Sequence, residues 1–515
     1  MNTSLFKTLI IVSLLVIIPA LLQAQNKKVV RTEIETSEDA KPFNIVNLDK
    51  SGLITLTKLN EFIDRKTQNW SFTFYDNMLQ RKWTKRLPLS EDFSYQGYGF
   101  EKDTAYLFFY KENKRSTENN LKIIAFELTK GNNLHIDTLV TDKAKLTTLQ
   151  FYQQFAYYTI ENKSKISLGI NNLAQRTHKE LVIDNSDGTN VENLKIDTIN
   201  QAIYLLIKKE ISKRENKLIL KKYNFEGAEI SSIDINNTDE TRKLLTGMIK
   251  LLKDSFISIT GSYNLSDEKS TNNAETSILE AAGMYFIKIE GNLIKPIRFI
   301  NFLSFNNINR YLNKREASKI RKMEENKTKK DFSLNYLLIE HEVIQQNDNL
   351  ILVSEAFYPE YRVISDMSYD YYGRMTPTSR TIFDGYRYTN AFVLCLDENG
   401  NTKWNQLFDI WNILTMEIKE RVSIMPLKDD LLIAYNDDGE VIYKIMNDTT
   451  TASDIENLKI EMSYANDKAM SNASANIDYW YGCYYLVYGI QTIKNNSLAN
   501  RSKRTVFYMN KVSFE

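Results

Sequence analysis

Residues 391–410 read AFVLCLDENGNTKWNQLFDI: an alternating apolar run, a polar turn ending at Gly400, and a second alternating run. A period of two marks a strand, and D-E-N-G between two such runs marks a hairpin. The plan returns at 71–89 (SFTFYDNMLQRKWTKRLPL), where Lys82-Trp83 corresponds to Lys403-Trp404, Phe72 to Phe392 and Leu87 to Leu407. Weaker copies at 121–140, 217–235 and 283–300 turn at Gly131, Gly227 and Gly291. A second motif precedes most of these hairpins, at 97–110, 247–260, 342–354 and 422–435. It is a short apolar strand, a tight turn with Asp103, Asp254, Asp348 or Asp429, and a strongly apolar strand. Asp suits such turns because its short side chain bonds the local backbone.

Two hairpins in series make a four-stranded meander, and a run of meanders is the pattern of a β-propeller. Units centre near residues 70, 115, 165, 215, 275, 375, 440 and 490, which predicts about eight blades, with seven as the alternative. RTVFYMNKVSFE (504–515) reads as a third blade strand with no fourth behind it, and KKVVRTEIET (27–36) as a strand without a partner. The expectation is that the two pair and close the ring, which removes edges open to aggregation.

Two stretches break the rhythm. Residues 306–332 lack strand alternation and favour a helix; from Arg310 to Asp331 they carry nine basic and four acidic residues, net +5. Residues 357–388 (FYPEYRVISDMSYDYYGRMTPTSRTIFDGYRY) fall between the second and third strands of the sixth unit and hold seven tyrosines. They are expected to form an insertion on one face of the ring.

The sequence LILVSEAFYPEY (350–361), followed by NAFVLCLDENGNTKW (390–404) and LLIAYND (431–437), resembles a group of uncharacterised exported propeller-repeat proteins of Bacteroidota-type Gram-negative bacteria. The match is strongest over 335–440. It implies a propeller and export, and assigns no catalytic residue.

The N-terminus agrees with export. Lys7 precedes an apolar stretch from Thr8 to Leu22, of signal-peptide length and short of a bilayer span, and Ala24-Gln25 is a cleavage point. The domain reading is therefore a signal peptide at 1–24 and a single propeller at 25–515. Gln25 rather than Cys follows the cut, which argues against a lipoprotein, and no later segment reads as a membrane helix. The expected location is the periplasm, the outer membrane or the cell exterior. Lys+Arg at 66 against Asp+Glu at 65 leaves no basic field for nucleic acid. Cys395 and Cys483 are read as buried thiols in apolar strands rather than as a bridge.

Catalytic signatures are missing from the sequence. His135, His178 and His341 lie in different units without metal-ligand spacing, and Glu340 and Glu342 should point away from His341 on a strand. DNSDGTN (184–190), DENGN (397–401) and NDDGE (436–440) read as hairpin turns rather than calcium loops. No catalytic residue, metal or cofactor is assigned. The expected role is binding or scaffolding of a protein in the cell envelope, with a carbohydrate-binding or carbohydrate-processing propeller as the alternative. The candidate contact residues are Tyr358, Tyr361, Tyr369, Tyr371, Tyr372, Arg374, Tyr386 and Tyr388 of the insertion. Tyr and Arg are enriched at interface hot spots.

Overall fold

The computed structural model describes residues 30–514 except 38–42, 112–119, 139–143, 163–164, 213–214, 253–255, 266–277, 313, 315–316, 319, 323–332, 370, 449–454 and 498–501. The signal-like segment and Asp254 lie outside the described residues.

The central strands carry near-continuous buried runs, as in Ile257–Leu265 and Leu431–Asp437, so each sheet must bury both faces, and the chain meets this by setting eight antiparallel sheets side by side. Blades 1 to 7 span 44–90, 94–138, 145–184, 189–235, 242–301, 337–415 and 423–459. Blade 8 combines 468–513 with the N-terminal strand Val30–Glu35. The first strands of neighbouring blades approach one another, which places them innermost around the axis. The fold is an eight-bladed β-propeller. Asp103, Asp348 and Asp429 sit in the expected turns.

An apolar cluster fills every joint between blades. Trp70, Phe72 and Phe109 meet between blades 1 and 2, and Phe286, Leu350 and Phe392 between blades 5 and 6. Turn residues join in. Gly400 adopts φ +76° and lies so close to blade 5 that a Cβ there would run into the Phe286 ring. The turn therefore needs glycine both for its backbone and for the joint.

Three expectations are corrected. Trp83 opposes Phe74 and Trp404 opposes Cys395, so the partner of Phe72 in blade 6 is Val393 rather than Phe392. Both hairpins carry a bulge at the same place, between Phe74 and Tyr75 and between Cys395 and Leu396, so they align without a gap, and Phe392, one residue out of step with Phe72, faces blade 5 while Val393 faces blade 7. Cys483 lies in the turn between Lys468–Tyr481 and Tyr484–Lys494, not in a strand, and both thiols are free. The 357–388 segment is not a separate loop. It continues the two central strands of blade 6, Asn349–Tyr369 and Met375–Asp397, as one long hairpin. Of the basic segment, Ile308–Tyr311 is a 3-10 helix and residues 314, 317, 318 and 320–322 are α-helical.

Ring closure occurs as the strand pattern requires. Val30–Glu35 pairs antiparallel with Lys503–Ser513, from Val30 opposite Lys511 to Glu35 opposite Val506. Buried charges latch this strand. Arg31 donates to Glu33 (2.8 Å), Asn510 (2.9 Å) and Gln491 (2.8 Å) and lies over the Tyr508 ring. Arg504 grips both oxygens of Asp467 (3.1 and 2.6 Å) and also donates to Glu33 (3.1 Å). Glu33 thus ties the two arginines across the closing pair. Burial pushes the Asp467 carboxyl up, but its hydrogen bonds to Arg504 and Asn495 and the charge of Arg504 outweigh this and hold it below the usual range.

Two outcomes follow. Deleting residues 30–35 should expose the edge of Lys503–Ser513 and cause aggregation, measured by light scattering; a soluble variant with unchanged melting would contradict the closing role. Arg504→Met should cost about 3 kcal/mol, because it strands a buried carboxylate. The depressed pKa of Asp467 means its contribution is present above about pH 4 and is lost as pH falls through the folded value. Denaturation curves should show that acid-side loss in the wild type and a smaller one in Arg504→Met.

Candidate functional site

Propeller connectivity sorts the loops. Links between blades and turns between second and third strands share one face; the other turns share the opposite face. The long hairpin of blade 6, the 302–336 link and the 410–422 link therefore lie on the same face.

Beyond its root the hairpin is an arm that leaves the ring. Twelve residues of its first strand, 358–369, span roughly 40 Å at about 3.4 Å per residue. Register places Tyr361 with Phe383, Val363 with Thr381 and Met367 with Pro377 on one side of the ribbon. Val363 and Met367 are 66% and 62% exposed. The other side carries ion pairs between Arg362 and Asp384 (3.2 Å) and between Arg380 and Asp366 (3.7 Å). At the tip Tyr371 is 97% and Tyr372 81% exposed, with their rings edge to face.

The candidate residues thus divide. Tyr358, Tyr361, Tyr371, Tyr372 and Arg374 are exposed along the arm. Tyr369 pairs with Met375 through its backbone, and its side chain is outside what is described. Tyr386 and Tyr388 are taken into the core between blades 6 and 7 and cannot meet a partner. The Tyr388 hydroxyl donates to the Lys419 carbonyl (2.7 Å) and accepts from its N–H (3.1 Å), stapling the 410–422 link to the arm's root. Alternation of Tyr386 and Tyr388 with Arg387 was the available sign that the strand already faces the core there.

Inside the ring the sequence reading missed a cluster. Glu355 is fully buried in an apolar strand. It accepts from the backbone N–H groups of Arg421 (2.9 Å) and Val422 (2.9 Å) and from His341 Nε2 (2.7 Å). The other His341 nitrogen faces Glu420 at 3.7 Å. His341 thus meets carboxylates from other segments, not its own neighbours Glu340 and Glu342. Burial pushes the imidazole down, but the hydrogen bond and charge of Glu355 and the charge of Glu420 outweigh it, and the net direction is up. The visible signal was a lone Glu in LILVSEAF, since buried carboxylates need partners.

Glu420 and Asp478 line a cavity of about 310 Å³ beside the axis. Both touch water, yet protein surrounds them on most sides, and this encirclement pushes both carboxyls up. The Tyr488 hydroxyl donates to Asp478 at 2.9 Å. Glu355 itself is sealed and saturated, so it clamps blade 6 to blade 7 rather than acting on a substrate. Two larger hollows are present. One of about 830 Å³ lies between blades 8 and 1, against Thr55, Thr57, Thr73 and Thr84. Another, of about 960 Å³, lies between blades 7 and 8. In the DENGN turn (397–401) Asp397 accepts from the N–H groups of Asn399 and Asn401 (2.8 Å each). Among the described residues no group of His, Cys, Asp and Glu is arranged to hold a metal ion, and no helix is long and apolar enough to cross a membrane.

No family model matches the chain, and no curated protein matches it. Solved structures with related architecture include the polysaccharide lyase Uly1 (TM-score 0.39, 8% identity, 83% of this chain and 93% of that one). The β-propeller domain of the Trilobed protease from Pyrococcus furiosus is similar over 81% and 94% (TM-score 0.34, 8% identity). The Dos1 propeller is similar over 92% and 95% (TM-score 0.35, 8% identity). At this distance the likeness is one of fold alone.

The His341 pair makes a pH prediction. Because its folded pKa is raised, its stabilising contribution is complete below about pH 6.5 and is lost as pH rises through the folded value. Urea unfolding between pH 6 and 8.5 should show the wild type losing stability relative to His341→Gln; parallel curves would mean the imidazole stays neutral. Glu355→Ala should cost about 3 kcal/mol by stranding its donors.

Proposed function

We propose that this protein is an exported, non-catalytic scaffold of the cell envelope whose blade 6 arm docks a protein partner. The carrying observation is the arm's exposed apolar side, ending in Tyr371 and Tyr372. A two-stranded ribbon is marginal in water by itself, so an exposed apolar side on one is a contact surface in search of cover. The arm's charges favour a protein over an anionic surface. Glu360, Asp366, Asp370 and Asp384 balance Arg362, Arg374, Arg380 and Arg387, and Arg387 pairs with Glu360 at the root. Exposed Phe62, Ile63, Trp411 and Met416 on the same face extend the apolar area around the ring. The leader-like N-terminus and the resemblance to exported propeller-repeat proteins of Bacteroidota-type bacteria support the location.

The test is recovery of partners from native envelopes. Replacing Tyr371 and Tyr372 by Ser should change stability by no more than about 0.5 kcal/mol, as at other exposed sites, and abolish recovery of a specific protein. A marked loss of stability would make the arm a structural cap, and unchanged recovery would remove it from the contact surface.

A further inference from the structure

Resting on the reading of the arm as a contact surface, we propose that its partner is a second copy of this chain, paired edge to edge along residues 361–367 of the two arms. Beyond Phe357 the arm's first strand has left its neighbour Leu337–Glu340, and among the described residues 361–369 pair only with the second strand. The outer edge is therefore a row of open N–H and C=O groups, a template for another strand. The two edges of the ribbon differ. The second strand carries Pro377, which lacks an N–H, and a bulge at Asp384, where Glu360 pairs with Gly385 and Tyr361 with Phe383. Proline and bulges both blunt an edge. The first strand runs from Tyr361 to Tyr369 with neither.

Self-complementarity selects the partner. Two copies of one strand pair antiparallel about a two-fold axis, and directly opposite residues share a face. With Ile364 on the axis, Tyr361 stands opposite Met367, Arg362 opposite Asp366 and Val363 opposite Ser365, each twice. Tyr361, Val363 and Met367 are 44%, 66% and 62% exposed on one side of the ribbon, so this register covers the apolar positions that a lone arm leaves in water. On the other side unlike charges meet. Within its own arm Arg362 already pairs with Asp384 (3.2 Å) and Asp366 with Arg380 (3.7 Å). The junction strings Asp384, Arg362, Asp366 and Arg380 into one row of alternating sign across four strands.

Neighbouring registers lose this match. An axis at Val363 sets Glu360 against Asp366, and one at Asp366 sets that carboxylate against its own copy; like charges directly opposite destabilise a strand pair. An axis at Ser365 leaves Arg362 against Ser368 and Ile364 against Asp366. Half-step registers put the apolar positions on opposite faces. A foreign strand has no reason to find charge and apolar positions matched in one two-fold register, whereas a copy does. In this assembly the arms overlap over their whole length, so each tip reaches the root of the other and the two arm-bearing faces stand about 40 Å apart.

Sedimentation of the purified full chain across micromolar concentrations should show a dimer. Arg362→Glu and Asp366→Arg should each weaken it at least about tenfold with melting unchanged. The two together should restore it to within about threefold of wild type. The double exchange mends only the contact between copies and leaves the contacts with Asp384 and Arg380 repulsive. In a Cys483→Ser background, Ile364→Cys sets two thiols across the axis with Cα atoms about 5 Å apart, within reach of a disulfide. Ser379→Cys, on the second strand opposite Ser365, leaves them roughly 15 Å apart. Mild oxidation should link the first variant and not the second. A monomer, a dimer indifferent to the single exchanges, a double exchange no better than the singles, or linkage through Ser379→Cys instead would each overturn the proposal. A monomer that still recovers another envelope protein through Tyr371 and Tyr372 overturns self-pairing alone, and a monomer that recovers none overturns the arm reading with it.

Discussion

Every blade carries apolar side chains on both faces, and none can bury them alone. The sixteen faces of the eight blades are covered together or one joint is left open, and closure of the ring is the condition on which the other contacts rest. The joint where closure happens differs from the rest. Blade 1 turns threonines toward blade 8, and a polar crevice of about 830 Å³ runs beside the apolar cluster of Trp480, Phe507 and Leu53. Across that joint Thr32 donates to the Leu79 carbonyl (2.7 Å), Asn47 to the Tyr479 carbonyl (3.0 Å) and Lys511 to the Asn77 carbonyl (3.1 Å), while strand pairing and the cluster of Arg31, Glu33, Arg504 and Asp467 hold the closing strand within blade 8. Buried ion pairs add little net stability over apolar packing, but they punish misalignment heavily. At a joint that must select one strand and one register, that penalty is useful.

The same reasoning explains Glu355. Between blades 6 and 7 the strand faces are apolar, but the chain must enter blade 7 through Arg421 and Val422, whose N–H groups start a strand with no ladder partner. Glu355 supplies acceptors for both and draws His341 into the joint. Tyr388 does similar work for Lys419. Together they hold the 410–422 link, which is also one wall of the cleft toward blade 8.

Much of this was legible in the sequence. Period-two alternation, Asp and Gly turns and the unpaired terminal strands lead to about eight blades, with seven as the alternative, and to closure by a strand within 27–36, where the described pairing runs from Val30 to Glu35. Other features were hidden for physical reasons. Phe392 and Val393 are adjacent apolar residues, so composition does not mark which of them shares the facing of Phe72; the backbone register assigns it to Val393. The arm's balanced charges and exposed apolar residues imitate a loop, although each strand keeps its alternation. The contacts of Glu355 and the lining of the blade 7–8 cleft join segments from different blades. A repeat shows what blades share, and these groups lie where blades differ.

The composite eighth blade also orders events in time. Its outer strand is the first part of the ring to be synthesised and its partner among the last, with Arg31 and Asn510 separated by 479 residues. Closing a loop of that length costs about 2 kcal/mol more in chain entropy than closing one of blade length. Contacts so distant in sequence also slow folding. Seven blades can assemble as the chain lengthens, while the nascent protein carries an uncovered first strand and an open edge until its final residues arrive. During that interval the chain is most exposed to aggregation and most in need of a chaperone.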